Sequence, residues 1–532
     1  MSDPSPPTPM PIGDAAQSKP PAGKLVRLGV WVGLLVAIGV GMPVWLSLLR
    51  GPAVYERSGL LTVGWLTSAG AMLGLWLLLK TTPPGAIKLS PRLGKRIILL
   101  LTAGLTASAI FFVSPVLERG PLRARVDGTA WLVGSSPYLL TPARVLAIES
   151  ADTTSLRGPD PFAAESLAVD RAAPGQNSIS LYPPATQLAF VVSRALDYVL
   201  PTGERPTPTT SAAPTSTRPG DWREAMLALP WWRQLFVWRT LMAVALLLTV
   251  AELIAWLRSR DVSVWWAAVF AWQPVVLVGV LGAGHGDLLA LLFLVAGLRR
   301  VDVGRRRRGG LCLGAAAAMH PITWLAIPLA AMHAWRTIDA AGGRRVLAWS
   351  FAAGLLLTLP PLVASDKWHV VWPTVTAVFG NADGLDDNAS LYWLLQRWTE
   401  DATWLPPAGW ILAIAAAVIA AWIVTARRGR PETAIYVAVL AALLLGPTGR
   451  PSLLVWPLAM VPLLGGRGGL TACVWAATAV LAWGDRSANV VWQYAPVYAA
   501  ALVEIVAWRM RSRTAARDRR RTSATAGQDI YQ

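Results

Sequence analysis

Apolar segments recur along this chain from Leu25 to Met510, many of them near the length of about twenty residues that a helix needs to cross the hydrocarbon core of a bilayer. Such a core offers the backbone no water, so only structures that satisfy every N–H and C=O internally survive in it. With 54% of its 532 residues hydrophobic, 15% charged and 28 tryptophans, the sequence exceeds what one water-soluble core absorbs. The recurrence also excludes a soluble domain on a single anchor, and a cleaved signal peptide ahead of a secreted enzyme. The expected fold class is all-α, a polytopic integral membrane protein.

At roughly twenty residues per crossing, spans are expected near 26–49, 59–79, 97–116, 236–257, 263–282, 287–299, 346–364, 408–426, 432–447, 452–465, 468–484 and 490–508. The stretch 309–335 has Arg clusters on both flanks and "MHP" at 319–321. It is expected to enter, break where proline removes a donor, and return. That makes about 12–14 transmembrane helices.

A net charge of +18 would suggest nucleic acid in a soluble protein, but here the cations sit in short runs between apolar segments: "KTTPPGAIKLSPRLGKR", "RRVDVGRRRR", "RTIDAAGGRR", "RRGR" and "RMRSRTAARDRRR". Loops rich in Lys and Arg stay in the cytoplasm, so both termini are expected there, in a bacterial cytoplasmic membrane, and no nucleic-acid partner is expected. The region 117–235 has no Lys and balances its Arg with acids, which places it outside.

The resulting map has a Pro-rich disordered tail at 1–24, a multi-spanning domain at 25–510 with outer loops 117–235 and 365–407, and a basic tail at 511–532. Within the larger loop, Ala185 to Leu200 is amphipathic but carries Arg194 and Asp197, which suits a helix lying in the interface. A Pro/Thr/Ser linker follows it. Cys312 and Cys473 fall in apolar segments, where a free thiol packs as a small hydrophobe. No internal repeat of the transporter kind stands out.

Several conspicuous features have ordinary explanations. "RRRR" at 305–308 reads as a stop-transfer and headgroup cluster, and the tryptophans near span ends as interfacial anchors. "LGAGHGDLLALL" follows an apolar helix rather than a strand, so it is no phosphate-binding fingerprint. There is no Cys/His spacing for zinc, and no metal ligand set is assigned.

What remains is a group of polar residues expected to share the outer face: Glu118, Arg119, Arg123, Arg125, Asp127, Tyr138, Tyr182, His285, Asp287, His320, Lys367, Asp383, Asp386, Asp387 and Arg450. Ionisable groups at membrane depth mark pathways or sites. Asp287 carries two readings, a site carboxylate beside His285 or an acid placed favourably at a helix N-terminus. The three acids at 383–387 read equally as a solvated loop.

The ordered series "VDGTAWLVGSSPYLLTP", "SLYPPATQLAF", "WQPVVLVGVLGAGHGDLLALLFLVAGL" and "AAAAMHPITWLAIPL" resembles the C-type (GT-C) glycosyltransferases, and most closely their polyprenyl-phosphate-mannose-dependent mannosyltransferases with the related GPI mannosyltransferases. The likeness covers about 117–335 in ordered motifs. By position, Asp127, Gly134, Pro137 and Tyr138 match the first motif, Tyr182, Pro183 and Pro184 the second, and Gly284, His285 and Asp287 the third. The family's usual catalytic Asp, upstream of the Asp127 position, is replaced here by Arg119, Gly120 and Pro121, with Glu118 the nearest acid. His320 replaces a basic residue that commonly precedes the later proline.

The resemblance implies a GT-C-like architecture with interfacial helices in the large outer loop. It implies an inverting transferase that moves a sugar, mannose above all, from a polyprenyl phosphate to a lipid-linked or glycan acceptor on the outer face. Glu118 and Asp127 are alternative bases for the acceptor proton. Arg123, Arg125, Tyr138, Tyr182, His285, Asp287, His320, Lys367 and Arg450 would bind substrate, the cations among them stabilising the leaving phosphate. Partners would be membrane lipids, the lipid-phosphate sugar and the acceptor; no cofactor is assigned, and a divalent cation is left open. Two rivals stand beside this reading. A non-catalytic scaffold on the same fold explains the missing upstream Asp, and a lipid or sugar transporter would show mid-helix charges and repeat symmetry.

Overall fold

In a computed structural model the described residues are 22–48, 58–82, 90–113, 122–132, 134, 136–137, 141, 143–145, 182–199, 235–337, 339–364, 405–426, 430–446, 451–479, 494–511 and 514. All regular structure among them is helical. In chain order the helices are α1 (Ala22–Val36), running through a π turn at Ala37–Gly41 into α2 (Met42–Leu48), then α3 (Ser58–Thr81), α4 (Pro91–Phe112), α5 (Leu122–Leu132), α6 (Pro184–Val199) and α7 (Phe236–Ser259). There follow α8 (Trp266–Ala271), a π-helix at Val275–Gly282, α9 (Asp287–Asp302), α10 (Arg306–Met319), a 3-10 turn at Pro321–Leu325, α11 (Ala326–Thr337) and α12 (Ala340–Ala364). The series closes with α13 (Leu405–Ala426), α14 (Pro431–Leu445), α15 (Val455–Leu464), α16 (Leu470–Thr478) and α17 (494–511).

Among the described residues, five helical stretches are long and apolar enough to cross a membrane: Gly29–Ser47, Thr62–Thr81, Arg92–Phe112, Phe236–Ser259 and Ala408–Ala426. Their side chains fit a lipid solvent. On α13 the exposed residues include Ile411, Val418, Ile419 and Trp422, and on α17 Leu502, Val503 and Ile505, a continuous apolar exposure that water would penalise.

The helices run with a consistent polarity. On α7 and α9, Trp238 meets Gly284 at one end while Trp256 meets Asp302 at the other, so the two are parallel. α10 runs back between them and α12, its backbone brought close by glycines: a Cβ on Gly297 or Gly309 would collide with Leu313 or Val301, and one on Gly314 with the Ser350 carbonyl. Sharp reversal after α10 occurs at His320, whose backbone is extended (φ −150°, ψ 129°) before Pro321. That is the break expected from the proline.

This polarity gathers the basic residues of Arg258 to Arg260, Arg299 to Arg308, Arg336, Arg344 and Arg345 at one end of the bundle. A charged lattice closes that end. Arg260 pairs with Asp302 at 2.9 Å and with Glu432, Trp256 Nε1 donates to Asp302 at 2.7 Å, and His333 lies 3.6 Å from the same carboxylate. Burial by itself would push the Asp302 carboxyl up, but hydrogen bonds from His333, Arg260 and Trp256 outweigh it and hold the group well below the usual carboxylate range. Glu252 joins Arg299 at 2.5 Å and Arg300 at 3.2 Å. Glu504 of α17 accepts from the Gly469 and Thr471 amides at 2.7 and 3.1 Å, capping α16. Cys312 and Cys473 are free thiols, Cys473 buried.

Two local features differ from the sequence reading. The expected span 263–282 is divided, with α8 ending at Ala271 and a π-helix running from Val275. The segment after the third apolar stretch, read as loop around Asp127, is helical over Leu122–Leu132 and buried from Leu122 to Ala130. Its polar residues escape a hydropathy reading because they are satisfied by one another, as Arg123 and Asp127 are, and by Gln187 and Arg194 of α6.

Candidate functional site

At the end of the bundle opposite the arginines, α5 and α6 pack side by side. Arg123 and Asp127 are four residues apart, hence on one face of α5, and Arg123 Nε sits 2.7 Å from Asp127 Oδ1. Gln187 of α6 donates Nε2–H to Asp127 Oδ2 at 2.9 Å. Both oxygens of this carboxylate are therefore engaged, and the residue is 1% exposed. The close approach needs Gly128, where a Cβ would lie 2.7 Å from the Phe190 carbonyl oxygen. A second tie comes from Arg194, whose Nε donates to Thr129 Oγ1 at 3.0 Å.

Amphipathic α6 has its polar face turned inward. Gln187, Ser193 and Arg194 are buried, whereas Leu188, Val192, Leu196 and Val199 are exposed. Those four recur at helical spacing and form the apolar stripe that the sequence assigns to a lipid-contacting helix. The inward face carries an aromatic relay, Tyr182 on Phe190 at 5.1 Å and Phe190 on Trp238 at 4.9 Å, both edge-on. A small cleft between α5, α6 and the start of α7 is lined by Arg125, Ser193, Arg194, Asp197 and Trp238.

Trp238 links this face to the turn before α9, donating its indole N–H to the Gly284 carbonyl at 2.6 Å. Gly284 has φ +85°, a left-handed conformation that glycine adopts without steric penalty. The turn carries half-buried His285, whose amide bonds back to Val280, and delivers Asp287 as the first residue of α9.

Asp287 is held from two directions. Trp456 Nε1 donates to Oδ1 at 3.1 Å, and His320 Nε2 lies 3.2 Å from the same atom. His320 Nδ1 accepts the Ile322 amide N–H at 3.3 Å, which leaves the Nε2–H tautomer facing the carboxylate. The imidazole also rests on the Trp456 ring at 4.7 Å. Asp287 thus stands at a helix N-terminus and also belongs to a side-chain cluster with Trp456 and His320. Thr186 joins the two halves: its Oγ1 donates to the Met319 carbonyl at 2.8 Å, one residue before His320 and one before Gln187.

Of the residues singled out in the sequence, Arg123, Arg125, Asp127, Tyr182, His285, Asp287 and His320 are thus found at one end of the fold. Glu118, Arg119, Tyr138, Lys367, Asp383, Asp386, Asp387 and Arg450 lie outside the described residues. Among the described residues no group of three His, Cys, Asp or Glu side chains is placed to hold a metal ion.

The sequence reading missed Gln187, Thr186, Trp456 and Arg239. Gln187 had a signal, an amide near the start of an amphipathic helical run. Trp456 had none beyond its type. Arg239, 3% exposed, donates to the Ala109 carbonyl and, at 2.8 Å, to the Val113 carbonyl. It thereby places a cation on the carbonyls at the C-terminal end of α4, sharing the Ala109 oxygen with the Val113 amide.

Chemically, the assembly offers one carboxylate fully committed to Arg123 and Gln187, and a second, Asp287, whose Oδ1 alone is engaged among the described residues. Compared with protein-family models, with curated proteins and with solved structures, the chain matches none.

Proposed function

We propose that the protein is a membrane glycosyltransferase of the GT-C kind, moving a sugar, mannose in the first instance, from a polyprenyl phosphate to a lipid-linked or glycan acceptor. The same reading takes the bundle as about 12–14 crossings, with both termini in the cytoplasm of a bacterial cell and the Asp127–Asp287 end outside. One observation carries it: the four motifs, far apart in the chain, meet through Asp127–Gln187, Thr186–Met319 and His320–Asp287, at the end away from the arginines.

In the proposed reaction an acceptor hydroxyl oxygen bonds to the anomeric carbon from the face opposite the lipid phosphate. The bond from that carbon to the phosphate oxygen breaks with its electron pair, inverting the centre. A carboxylate takes the hydroxyl proton, and nearby cations stabilise the departing phosphate. Asp127 has both carboxylate oxygens engaged, by Arg123 at 2.7 Å and by Gln187 at 2.9 Å, which leaves it badly placed to receive the acceptor's proton. The proton-accepting role falls to Glu118, and Asp127 becomes the residue that positions α5 against α6. His320 and Asp287 shape the cavity, and the exposed stripe of α6 lines the path of the lipid tail.

The test supplies purified protein in liposomes with radiolabelled polyprenyl-phosphate mannose and a panel of glycolipid acceptors. Wild type should incorporate label. Glu118→Gln should lose about a hundredfold or more with its melting temperature unchanged, while Asp127→Asn should lose activity and stability together. The engagement of both Asp127 oxygens also favours a second reading, a non-catalytic scaffold on this fold. Absence of incorporation by wild type across the acceptor panel would establish the scaffold over the enzyme.

A further inference from the structure

A different surface, at the arginine-rich end, has the makings of a lipid site. α10 and α12 run parallel and nearly touch, Gly310 lying against the Val346 carbonyl and Trp349 Cβ. Two cationic runs distant in sequence are thereby brought together. Arg305, Arg307, Arg308, Arg344 and Arg345 are all exposed, and none forms an ion pair among the described residues. Asp339, the acid beside them, is taken by Arg306 at 3.3 Å and by the Gly342 amide.

The arrangement has an inside edge. Arg307 stacks over the Trp349 ring at 4.3 Å, and Arg345 precedes Trp349 by one helical turn on the same face of α12. Below that stack the exposed residues become apolar, Leu311 on α10 and Leu356, 73% exposed, on α12. Cations above, an aromatic ring at the boundary and an apolar strip beneath match the headgroup, glycerol level and acyl chain of one phospholipid. A soluble polyanion would use the cations and leave the strip bare.

We propose that the seam between α10 and α12 binds an anionic phospholipid of the adjacent leaflet, its phosphate held between Arg307 and Arg345 and its chain lying along Leu311 and Leu356. This site is independent of the transfer reaction.

Native mass spectrometry of the full chain, offered equal phosphatidylglycerol and phosphatidylcholine in detergent, tests it. Wild type should retain phosphatidylglycerol preferentially. The pair Arg307→Gln and Arg345→Gln should reduce that retention roughly tenfold, whereas Arg92→Gln with Arg96→Gln, exposed cations at the same end on α4, should leave it unchanged. Arg307→Lys with Arg345→Lys should keep most of it, which separates loss of charge from loss of fold. Glycerol 3-phosphate should fail to displace the lipid. Equal retention in the glutamine pair, equal loss in the α4 pair, or displacement by glycerol 3-phosphate would each overturn the proposal.

Discussion

Gln187 and Asp127, sixty positions apart, share a hydrogen bond of 2.9 Å in a buried setting, and Arg123 closes the other side of the same carboxylate at 2.7 Å. The arrangement joins α5 to α6 through a satisfied charge, and its removal should be felt in proportion to what it leaves unsatisfied. Asp127→Ala takes the carboxylate away from the buried Arg123 guanidinium and from Gln187 and should destabilise by about 3–5 kcal/mol. Gln187→Met removes one donor to a charged acceptor and should cost about 2 kcal/mol. Replacing Arg123 and Asp127 together by apolar residues of similar volume should cost less than Asp127→Ala alone. Denaturant unfolding in detergent micelles ranks the three, and an Asp127→Ala variant as stable as wild type would refute the clamp.

Close helix contact through glycine leads to a second expectation. A Cβ at position 314 would lie 2.2 Å from the Ser350 carbonyl oxygen and 2.9 Å from Ala353 Cβ. Gly314→Ala should therefore force α10 and α12 apart at a cost of about 1–3 kcal/mol. Gly104→Ala on α4 meets nothing within 4 Å and should be neutral or gain up to about 1 kcal/mol of helix propensity. Melting temperatures of the two variants, measured in one detergent, should move in opposite directions or at least differ by several degrees.

The lattice around Asp302 should make stability depend on acid. The folded carboxyl titrates well below its unfolded counterpart, for which about 3.9 is ordinary. The unfolded chain therefore takes up the proton first, so the stabilisation is complete above about pH 4 and drains away as the pH falls further. Asp302→Asn should lower stability at neutral pH by on the order of 2 kcal/mol and flatten the profile between pH 5 and pH 3. The check is thermal unfolding across that range. A variant with the wild-type slope would show that other carboxylates dominate.

Trp456 and His320 both address Asp287 Oδ1, at 3.1 and 3.2 Å, and stack on each other. Their contributions should not add. Trp456→Phe alone should cost about 1–2 kcal/mol, and in combination with His320→Ala the total should depart from the sum by at least about 0.5 kcal/mol. A double-mutant cycle read by unfolding free energy decides it, strict additivity being the adverse result.

Much of the scaffold was legible before any coordinates. Most helices fall where hydropathy puts the apolar segments, α5 and the divided 263–282 stretch being the exceptions, and α10 ends at Met319, two residues before Pro321, as a missing donor requires. Arginine runs marked one end of the bundle. The candidate site was only half visible. Asp127, His320 and Asp287 stood out because charge in an apolar neighbourhood is conspicuous, whereas Trp456 is one tryptophan among 28. The π-helix at Val275–Gly282 also gave no sign, since a uniformly apolar run has the same pattern in either winding.

Helix positions, the break at His320 and the segregation of cations are properties of contiguous residues, determined by hydropathy, proline geometry and local charge, and the sequence by itself carries them. Which partner each buried polar group takes was decided only in three dimensions. Asp127 gains Gln187 because Gly128 lets α6 come near enough for the amide to reach it, and Asp287 gains His320 and Trp456 because α9, α10 and α15 converge at one end. Such encounters depend on the approach of backbones far apart along the chain, for which no periodicity within a single segment holds a record.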